Sequence, residues 1–508
     1  MLSLRLQSVG VGDRDVEDIE ARGMTLERVD MIVRKLRSPP QFVHLERAAT
    51  LHEGVNTIEN VESIATEYDA LAVKPGKLTP MSGVASRMFG FLHRYLAGQS
   101  RPDDLEKIGQ FIAGLDCQNA GPRFAFLEPL AAALARDGHH LVELIAQGDH
   151  RLIVEYTLSE KGLGFATRPK GVIPFHRRDN RPITALEEHM REAVAYGDGR
   201  IHCTVSPEHE PLFGKILSEI RAVNPTVRDV VVGLSNQATS TDSVALDVES
   251  GKIVRDGEGK IVFFPAGHGS LIENLAKAGG PVFLRNVDNV PRSDRAQHLV
   301  DVYHRAFAVL LARAKLTMAR LLEGIDQGIG DNGLDAGLIE LEKQHITIPL
   351  ARESFAESSS DKKRELVRRA LKRPIKIVGV VKNEGEPGGG PFIIRYLGAE
   401  IVSIVEKDEI DEGQWPMMRE GEFFNPVDIL ADPTDYNNQP LPLYNFVNQA
   451  RCFIVRKTYR GRDVVRYENP GLWNGAMDGW ISRFVAIPIE TFAPVKEVVD
   501  LLRPQHQG

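Results

Sequence analysis

Between residues 151 and 290 short apolar runs alternate with helix-like segments, and this constrains the fold more than any other feature. The runs are RLIVEY (151–156), GRIHCTVS (199–206), DVVVGLS (229–235), KIVFFPAG (260–267) and PVFLRNVD (281–288). Runs of this length, bounded by turn residues and separated by helical spacing, predict strands of βαβ units and a largely parallel sheet. A second set, IKIVGVV, PFIIRY, EIVSIVE and RFVAIPI, follows after residue 374. Helical periodicity fills the remainder. Residues 13–38 and 57–70 predict an N-terminal helical extension over 1–70, and 89–160 a helical insertion within a first α/β half over 71–295. Residues 296–373 predict a helical connection, and 374–508 a second α/β half.

A chain of 508 residues exceeds the size at which one core stops growing, so more than one lobe is expected. With 42% hydrophobic and 26% charged residues it reads as a soluble globular protein. No stretch approaches the roughly 18 unbroken apolar residues of a membrane span, which excludes a helical membrane protein. The start, MLSLRLQSVGVGDRDVEDIE, turns acidic too early for a secretory signal. Cys117, Cys203 and Cys452 are too scattered for a metal site or a disulfide framework, so a reducing cytoplasm is expected. The net charge of −8 argues against a broad nucleic-acid surface but leaves room for a local phosphate pocket. Nothing in the sequence fixes an oligomeric state.

Three segments carry the chemistry. Ser82-Gly83-Val84-Ala85-Ser86-Arg87-Met88 follows a strand-like stretch, Leu71–Pro80, and precedes helical spacing. Such a turn aims backbone N–H groups and a helix N-terminus at one point, where phosphate is favoured, and Arg87 can engage two phosphate oxygens. A second glycine pair, Gly162 and Gly164, precedes Pro169-Lys170-Gly171 and leaves a rival position for the loop. Asp288 ends the run PVFLRNV; a carboxylate at the C-terminal edge of a strand can hold Mg²⁺ against phosphates.

The stretch FPAGHGSLIENLAKAGGPVFLRNVDNV (264–290) resembles the eukaryotic-type UDP-glucose pyrophosphorylases, which carry Pro-Pro-Gly-His-Gly-Asp, a helix, and Asn-x-Asp-Asn. Gly267-His268-Gly269 matches the first motif and Asn286-Val287-Asp288-Asn289 the second. The resemblance implies a GT-A-like (Rossmann-like) nucleotidyltransferase core with a mixed, mostly parallel sheet. In it 71–295 is the nucleotide-binding half and 374–508 the sugar-binding half. It implies that the Gly267–Gly269 turn faces the base, that Asn286 and Asp288 hold the nucleotide and Mg²⁺, and that Gln237 reads the base. Ser82, Gly83, Ala85 and Ser86 resemble the family's Gly-x-Gly-Thr-Arg-Met loop, with Ala85 at the second glycine and Ser86 at the threonine. Lys170 then resembles the lysine that meets the substrate phosphates.

Further along, Gly389 and Gly390 resemble the family's Gly-Gly step beneath the sugar, with Pro387 where the family has lysine. Glu406 and Asn425 resemble its sugar contacts, and Trp473-Asn474-Gly475-Ala476 reads as support or a sugar-facing wall. Thr491-Phe-Ala-Pro-Val-Lys496 resembles Arg-Phe-Leu-Pro-Val-Lys, which makes Lys496 a phosphate contact and leaves Thr491 in place of arginine. The whole chain also resembles an uncharacterised family related to these enzymes. The implied reaction joins an NTP, UTP first, to a sugar-1-phosphate with Mg²⁺. Two alternatives stand beside it: a glycosyltransferase using a UDP-sugar, and a non-catalytic nucleotide-sugar sensor.

Overall fold

The structure, a computed structural model, describes residues 3–39, 41–116, 124–385 and 388–507. Cys117 and Pro387 lie outside the described residues. The chain divides into two units whose segments interleave. Met1–Glu59, Gln237–Val282 and Leu310–Ala486 form the first, and Asn60–Asn236, Phe283–Val309 and Ile487–Gly508 the second.

In the second unit the strands Gly76–Pro80, Arg200–Thr204 and Val231–Ser235 lie side by side and parallel, with Lys77 opposite Ile201 and Ile201 opposite Val232. The strand Val282–Arg285 neighbours Gly76–Pro80. Parallel strands need crossovers, and the helices Ala185–Ala195 and Glu210–Val223 lie on them. Thr184 starts the first of these helices: its hydroxyl accepts from the Glu187 N–H at 3.2 Å, and Glu187 and Glu188 complement the helix dipole in the first turn.

The expected helical insertion is present as Gly90–Leu96, Pro102–Leu115, Leu127–Arg136, Leu141–Gln147 and His150–Leu158. It shares one apolar core with the loop that precedes it. Met81, Ala85 and Met88 of the loop are buried with Phe89, Phe111, Phe124, Phe126 and Phe165. The Phe124 and Phe126 rings stack at 4.9 Å, and Phe89 and Phe165 at 5.4 Å. At about 1.5–3 kcal/mol for each fully buried ring, this packing fixes the insertion to the loop.

The run RLIVEY, expected as a strand, belongs instead to the helix His150–Leu158. Asp149 caps it by accepting from the Leu152 N–H at 3.3 Å, and Ile153, Val154 and Tyr156 bury in the aromatic core. A short apolar run carries no periodicity that separates a strand from a buried helix turn. KIVFFPAG narrows likewise to the two-residue strand Phe263–Phe264.

The first unit contains the parallel strands Gly54–Asn56, Ile481–Ala486 and Ile375–Lys382, with Phe423–Asp432 antiparallel beside the last. Between the two segments read as helical, 13–38 and 57–70, the N-terminal extension also supplies strands, at Arg47–Ala48, Thr50–Leu51 and Gly54–Asn56. The hairpin Gly390–Tyr396/Ala399–Val405 pairs in full register. An antiparallel sheet of Phe263–Phe264, Ser243–Asp247, Arg462–Glu468 and Phe453–Tyr459 carries the N-terminal helices. Ile19, Val29, Ile32 and Val33 of those helices bury against Val244, Leu246 and Tyr467. The helix expected over 296–325 is the 33-residue Asp294–Asp326.

Candidate active site

In the second unit the loop after Gly76–Pro80 meets the Lys170 segment directly. The Ala85 N–H donates to the Arg168 carbonyl at 3.0 Å and the Lys170 N–H to the Gly83 carbonyl at 3.2 Å. The loop and the lysine, far apart in sequence, are therefore strand-like neighbours. Ser82, Gly83, Ser86 and Arg87 are exposed, and a Cβ on Gly83 would meet nothing within 4 Å. The expected helix N-terminus is replaced by one 3₁₀ turn, Ala85–Arg87, and the Ala85 N–H is spent on Arg168. The rival glycines do other work. The Gly162 and Gly164 N–H groups both donate to the Ser159 carbonyl, and a Cβ on Gly162 would lie 1.9 Å from the Tyr156 carbonyl oxygen. That turn closes a helix end.

Lys170 Nζ donates to Asp288 Oδ2 at 2.8 Å and to the Val495 carbonyl at 2.9 Å, and Lys496 Nζ stands 3.7 Å from the same Asp288 oxygen. The approach of Lys496 has a backbone cause. Val495 N–H donates to the Asp288 carbonyl at 3.0 Å, and Ala493 N–H to Asn289 Oδ1 at 2.9 Å, so residues 493–495 run along 288–289. Asp500 then accepts from the Lys496 and Glu497 N–H groups at 2.8 and 2.7 Å, fixing the turn that follows. Asn286 accepts on its carbonyl from the Asn289 N–H at 3.1 Å and closes the turn that presents Asp288. Burial alone would raise the Asp288 carboxyl, but Lys170 and Lys496 hold it below its ordinary value.

A charged group beneath this turn was not anticipated. Arg285 and Lys77, both fully buried, converge on Glu192, with Arg285 Nη1 at 2.6 Å from its carboxylate. Burial opposes the Glu192 charge, yet Arg285 and Lys77 hold its pKa well below the usual range. His189 Nε2 lies 3.1 Å from the Val287 carbonyl, the residue before Asp288. The sequence signal was a charged residue inside each of two apolar strands, GKLTP and VFLR.

In the first unit a chain of contacts joins the remaining candidates. His268 Nδ1 accepts from the Leu472 N–H at 3.1 Å, which leaves the ring proton on Nε2, and the ring stacks on Trp473 at 4.1 Å. Burial lowers the His268 imidazole to about 4, so it is neutral at physiological pH. Trp473 and Asn474 also meet Glu406. Burial and then the nearby Glu409 charge raise the Glu406 carboxyl. A Cβ on Gly389 would lie 2.9 Å from Glu406 Cγ, and the Asn425 N–H donates to the Gly389 carbonyl at 2.8 Å. Gly390 approaches the Phe423 carbonyl, where a Cβ would come within 2.5 Å.

His268, Trp473, Glu406, Gly389 and Asn425 thus form one connected group. The Asn425 side chain itself accepts from the Val427 N–H at 3.0 Å, within a bulge where Val427 takes φ 56°. Gln237 is joined to this group by no hydrogen bond among the described residues; its Nε2 is buried and unpartnered. Arg451, also missed, fills the floor with bonds to Glu409 at 2.9 and 2.8 Å and to Asp478 at 2.7 Å.

Gly267 and Gly269 are glycines for different reasons. Gly267 has φ 75°, and a Cβ on Gly269 would sit 2.0 Å from the Pro470 carbonyl oxygen and 2.9 Å from that of Asn469. Gly269→Ala is expected to destabilise the protein by roughly 1–3 kcal/mol, since backbone rather than a mobile side chain must yield. Thermal unfolding of the variant checks this; an unchanged Tm would remove the packing explanation.

Among the described residues no three His, Cys, Asp or Glu side chains group as a metal site, and no helix is long and apolar enough to cross a membrane. Cys203 and Cys452 are free thiols.

Solved structures similar to this chain include a UDP-glucose phosphorylase from Trypanosoma brucei, 13% identical over 96% of this chain and 77% of that one, TM-score 0.46. Another is the UDP-glucose pyrophosphorylase from Leishmania major, 11% identical over 99% and 80%, TM-score 0.40. A third is the uridine diphosphate N-acetylglucosamine pyrophosphorylase from Trypanosoma brucei, 13% identical over 98% and 81%, TM-score 0.42. No curated protein matches the chain. A family model described as Domain of unknown function (DUF4301) matches residues 12–507, and the protein belongs to that family.

Proposed function

We propose that the protein is a sugar-1-phosphate nucleotidyltransferase that uses UTP. The observation that carries this reading is the meeting of Lys170, Asp288 and Lys496, each of which the sequence motifs had singled out independently. Two ammonium groups around one carboxylate, beside an exposed glycine loop, suit polyphosphate chemistry.

In the proposed reaction an oxygen of the sugar-1-phosphate attacks the α-phosphorus of UTP. The new P–O bond forms as the bond to the β-phosphate oxygen breaks, and pyrophosphate leaves with the electron pair. Lys170 and Lys496 stabilise the charge that builds on the phosphates, and Arg87, with Ser82, Gly83 and Ser86, lies beside the triphosphate; Ala85, buried with its N–H bound to Arg168, does not reach it. His268, held neutral between Gly267 and Gly269, presents Nε2–H to the base, with Gln237 as a second reader and Asn286 beside the nucleotide. Glu406, Asn425, Gly389 and Gly390 take the sugar.

Asp288 would offer Mg²⁺ a single carboxylate, which is compatible with its usual protein mode of one or two carboxylates supplemented by phosphates and water. Bound there, Mg²⁺ would neutralise phosphate charge. Lys170 Nζ holds Asp288 Oδ2 at 2.8 Å, and it would have to turn to the phosphates for Mg²⁺ to take that oxygen. The single carboxylate flanked by lysines favours pyrophosphate displacement over the UDP-sugar glycosyltransferase alternative.

The test is pyrophosphate release from four NTPs against a panel of sugar-1-phosphates with Mg²⁺. UTP is expected to exceed ATP and GTP by at least about tenfold in kcat/KM, because a site that hydrogen-bonds one base leaves buried groups unpaired with another. Equal turnover of all four would remove the base-reading role of His268 and Gln237, and no release with any pair would remove the enzyme reading.

A further inference from the structure

The antiparallel sheet of the first unit ends in a cationic pocket that the proposed reaction does not use. The strands Phe453–Tyr459 and Arg462–Glu468 are joined by Arg460 and Gly461, both left-handed with φ 47° and 77°. This is the two-residue turn that matches strand twist, and it sets Arg460 and Arg462 at the tip of the hairpin. Against the tip lies a cavity of about 410 Å³, whose charged lining is Asp247, Lys252, Arg255, Asp256, Arg460 and Arg462. That volume falls in the range of small-molecule sites, roughly 300–1,000 Å³.

Most of these charges are already engaged. Arg255 donates to both Asp15 oxygens at 2.8 and 2.7 Å and to the Gly10 and Gly259 carbonyls. Lys252 Nζ donates to the Ser8 carbonyl at 3.0 Å. The carboxylates are committed to their own turns: Asp247 accepts from the Ser250 N–H and hydroxyl, and Asp256 from the Glu258 and Lys260 N–H groups. The Arg460 and Arg462 guanidinium groups remain. Both residues are exposed, and neither side chain makes a hydrogen bond or ion pair among the described residues. Arg460 lies 5.4 Å from the Tyr459 ring, a second wall of the pocket.

We propose that this pocket binds a small phosphate-bearing anion through the Arg460 and Arg462 guanidinium forks. With Asp15 paired to Arg255, the four cations of the lining face three carboxylates, which leaves an excess of one positive charge. Guanidinium groups match phosphate oxygens in bidentate geometry, and these two, which act on Asp256 and Asp247 only through space, make no hydrogen bond among the described residues. The site is distinct from the His268 group, which packs at the opposite end of the same strand. Glu468 and Pro470 lie against Gly267 and Gly269, six residues and about 20 Å beyond Arg462.

Calorimetric titration of the full chain with pyrophosphate, and separately with orthophosphate, tests the site. Arg460→Ala/Arg462→Ala is expected to weaken one binding event by at least about tenfold. Lys170→Ala/Lys496→Ala should retain that event, which separates it from phosphate binding at the proposed active site. Arg456→Ala/Lys457→Ala removes the same charge from exposed positions of the same hairpin and should leave it unchanged. All four positions of the hairpin variants are exposed, so both are expected to fold. The proposal is overturned if neither anion binds at millimolar concentration, if binding is lost only with the two lysines, or if the two hairpin variants lose it equally.

Discussion

Asp288→Asn is expected to lower kcat by more than about a hundredfold across a Mg²⁺ titration while the protein stays folded. Loss of a residue that merely orients a metal ligand typically costs about 10–100-fold, so loss of the carboxylate itself should exceed that. Asparagine keeps the shape of the side chain and one acceptor for Lys170, which Val495 also holds at 2.9 Å, so Lys170 retains a partner. Stripping one partner from a fully buried pair can cost about 3–5 kcal/mol, and the partial exposure of Lys170 and the substituting amide oxygen reduce that here. Steady-state kinetics at several Mg²⁺ concentrations, with a thermal melt of the same preparation, separate the two effects. Near wild-type kcat at equal Mg²⁺ would show that Asp288 is not the metal carboxylate. A collapsed Tm would assign it to folding.

Lys170→Ala should reduce kcat by roughly a thousandfold. A positive charge about 4 Å from a phosphate charge, at an effective dielectric near 20, is worth roughly 4 kcal/mol, or about three decades in rate. The variant carries a second readout in pH. Lys170 is the larger of the two cations that hold the Asp288 carboxyl low against its burial. Without it, burial and the more distant Lys496 remain, and the carboxyl rises. The acid limb of kcat/KM is expected below the ordinary carboxylate range in the wild type and should move to higher pH in Lys170→Ala. In the wild type the stability contributed by this pair is present at neutral pH and lost as pH falls through the depressed Asp288 value. Unchanged kcat together with an unmoved acid limb would mean that Lys170 serves packing alone.

Much of the architecture was legible locally. The strands Arg200–Thr204, Val231–Ser235, Val282–Arg285, Ile375–Lys382 and Gly390–Tyr396 lie where apolar runs placed them, and Asp294–Asp326 where helical spacing did. The strand runs are bounded by turn residues and rich in Val and Ile, and the helix is long enough for its period to decide. RLIVEY was not, since six residues in a buried helix turn and in a buried strand look alike. The 3₁₀ turn at Ala85–Arg87 was equally hidden, because the Arg168 carbonyl that claims the Ala85 N–H comes from beyond the insertion.

The sequence by itself determined the identities of the chemical groups and the short segments that carry them: Gly267-His268-Gly269, Asn286-Val287-Asp288 and the Lys170 and Lys496 steps. Tertiary structure decided which of them meet. Lys170 and Asp288 are 118 residues apart; residues 493–495 run along 288–289, and Lys170 reaches both Asp288 and the Val495 carbonyl. Tertiary structure alone also made partners of Lys77, Glu192 and Arg285, and of Arg451 with Glu409 and Asp478. The physical reason is that backbone propensity and hydrophobic period act over a few residues. The partner of a buried charge is chosen by desolvation, which acts only once the chain has folded around it.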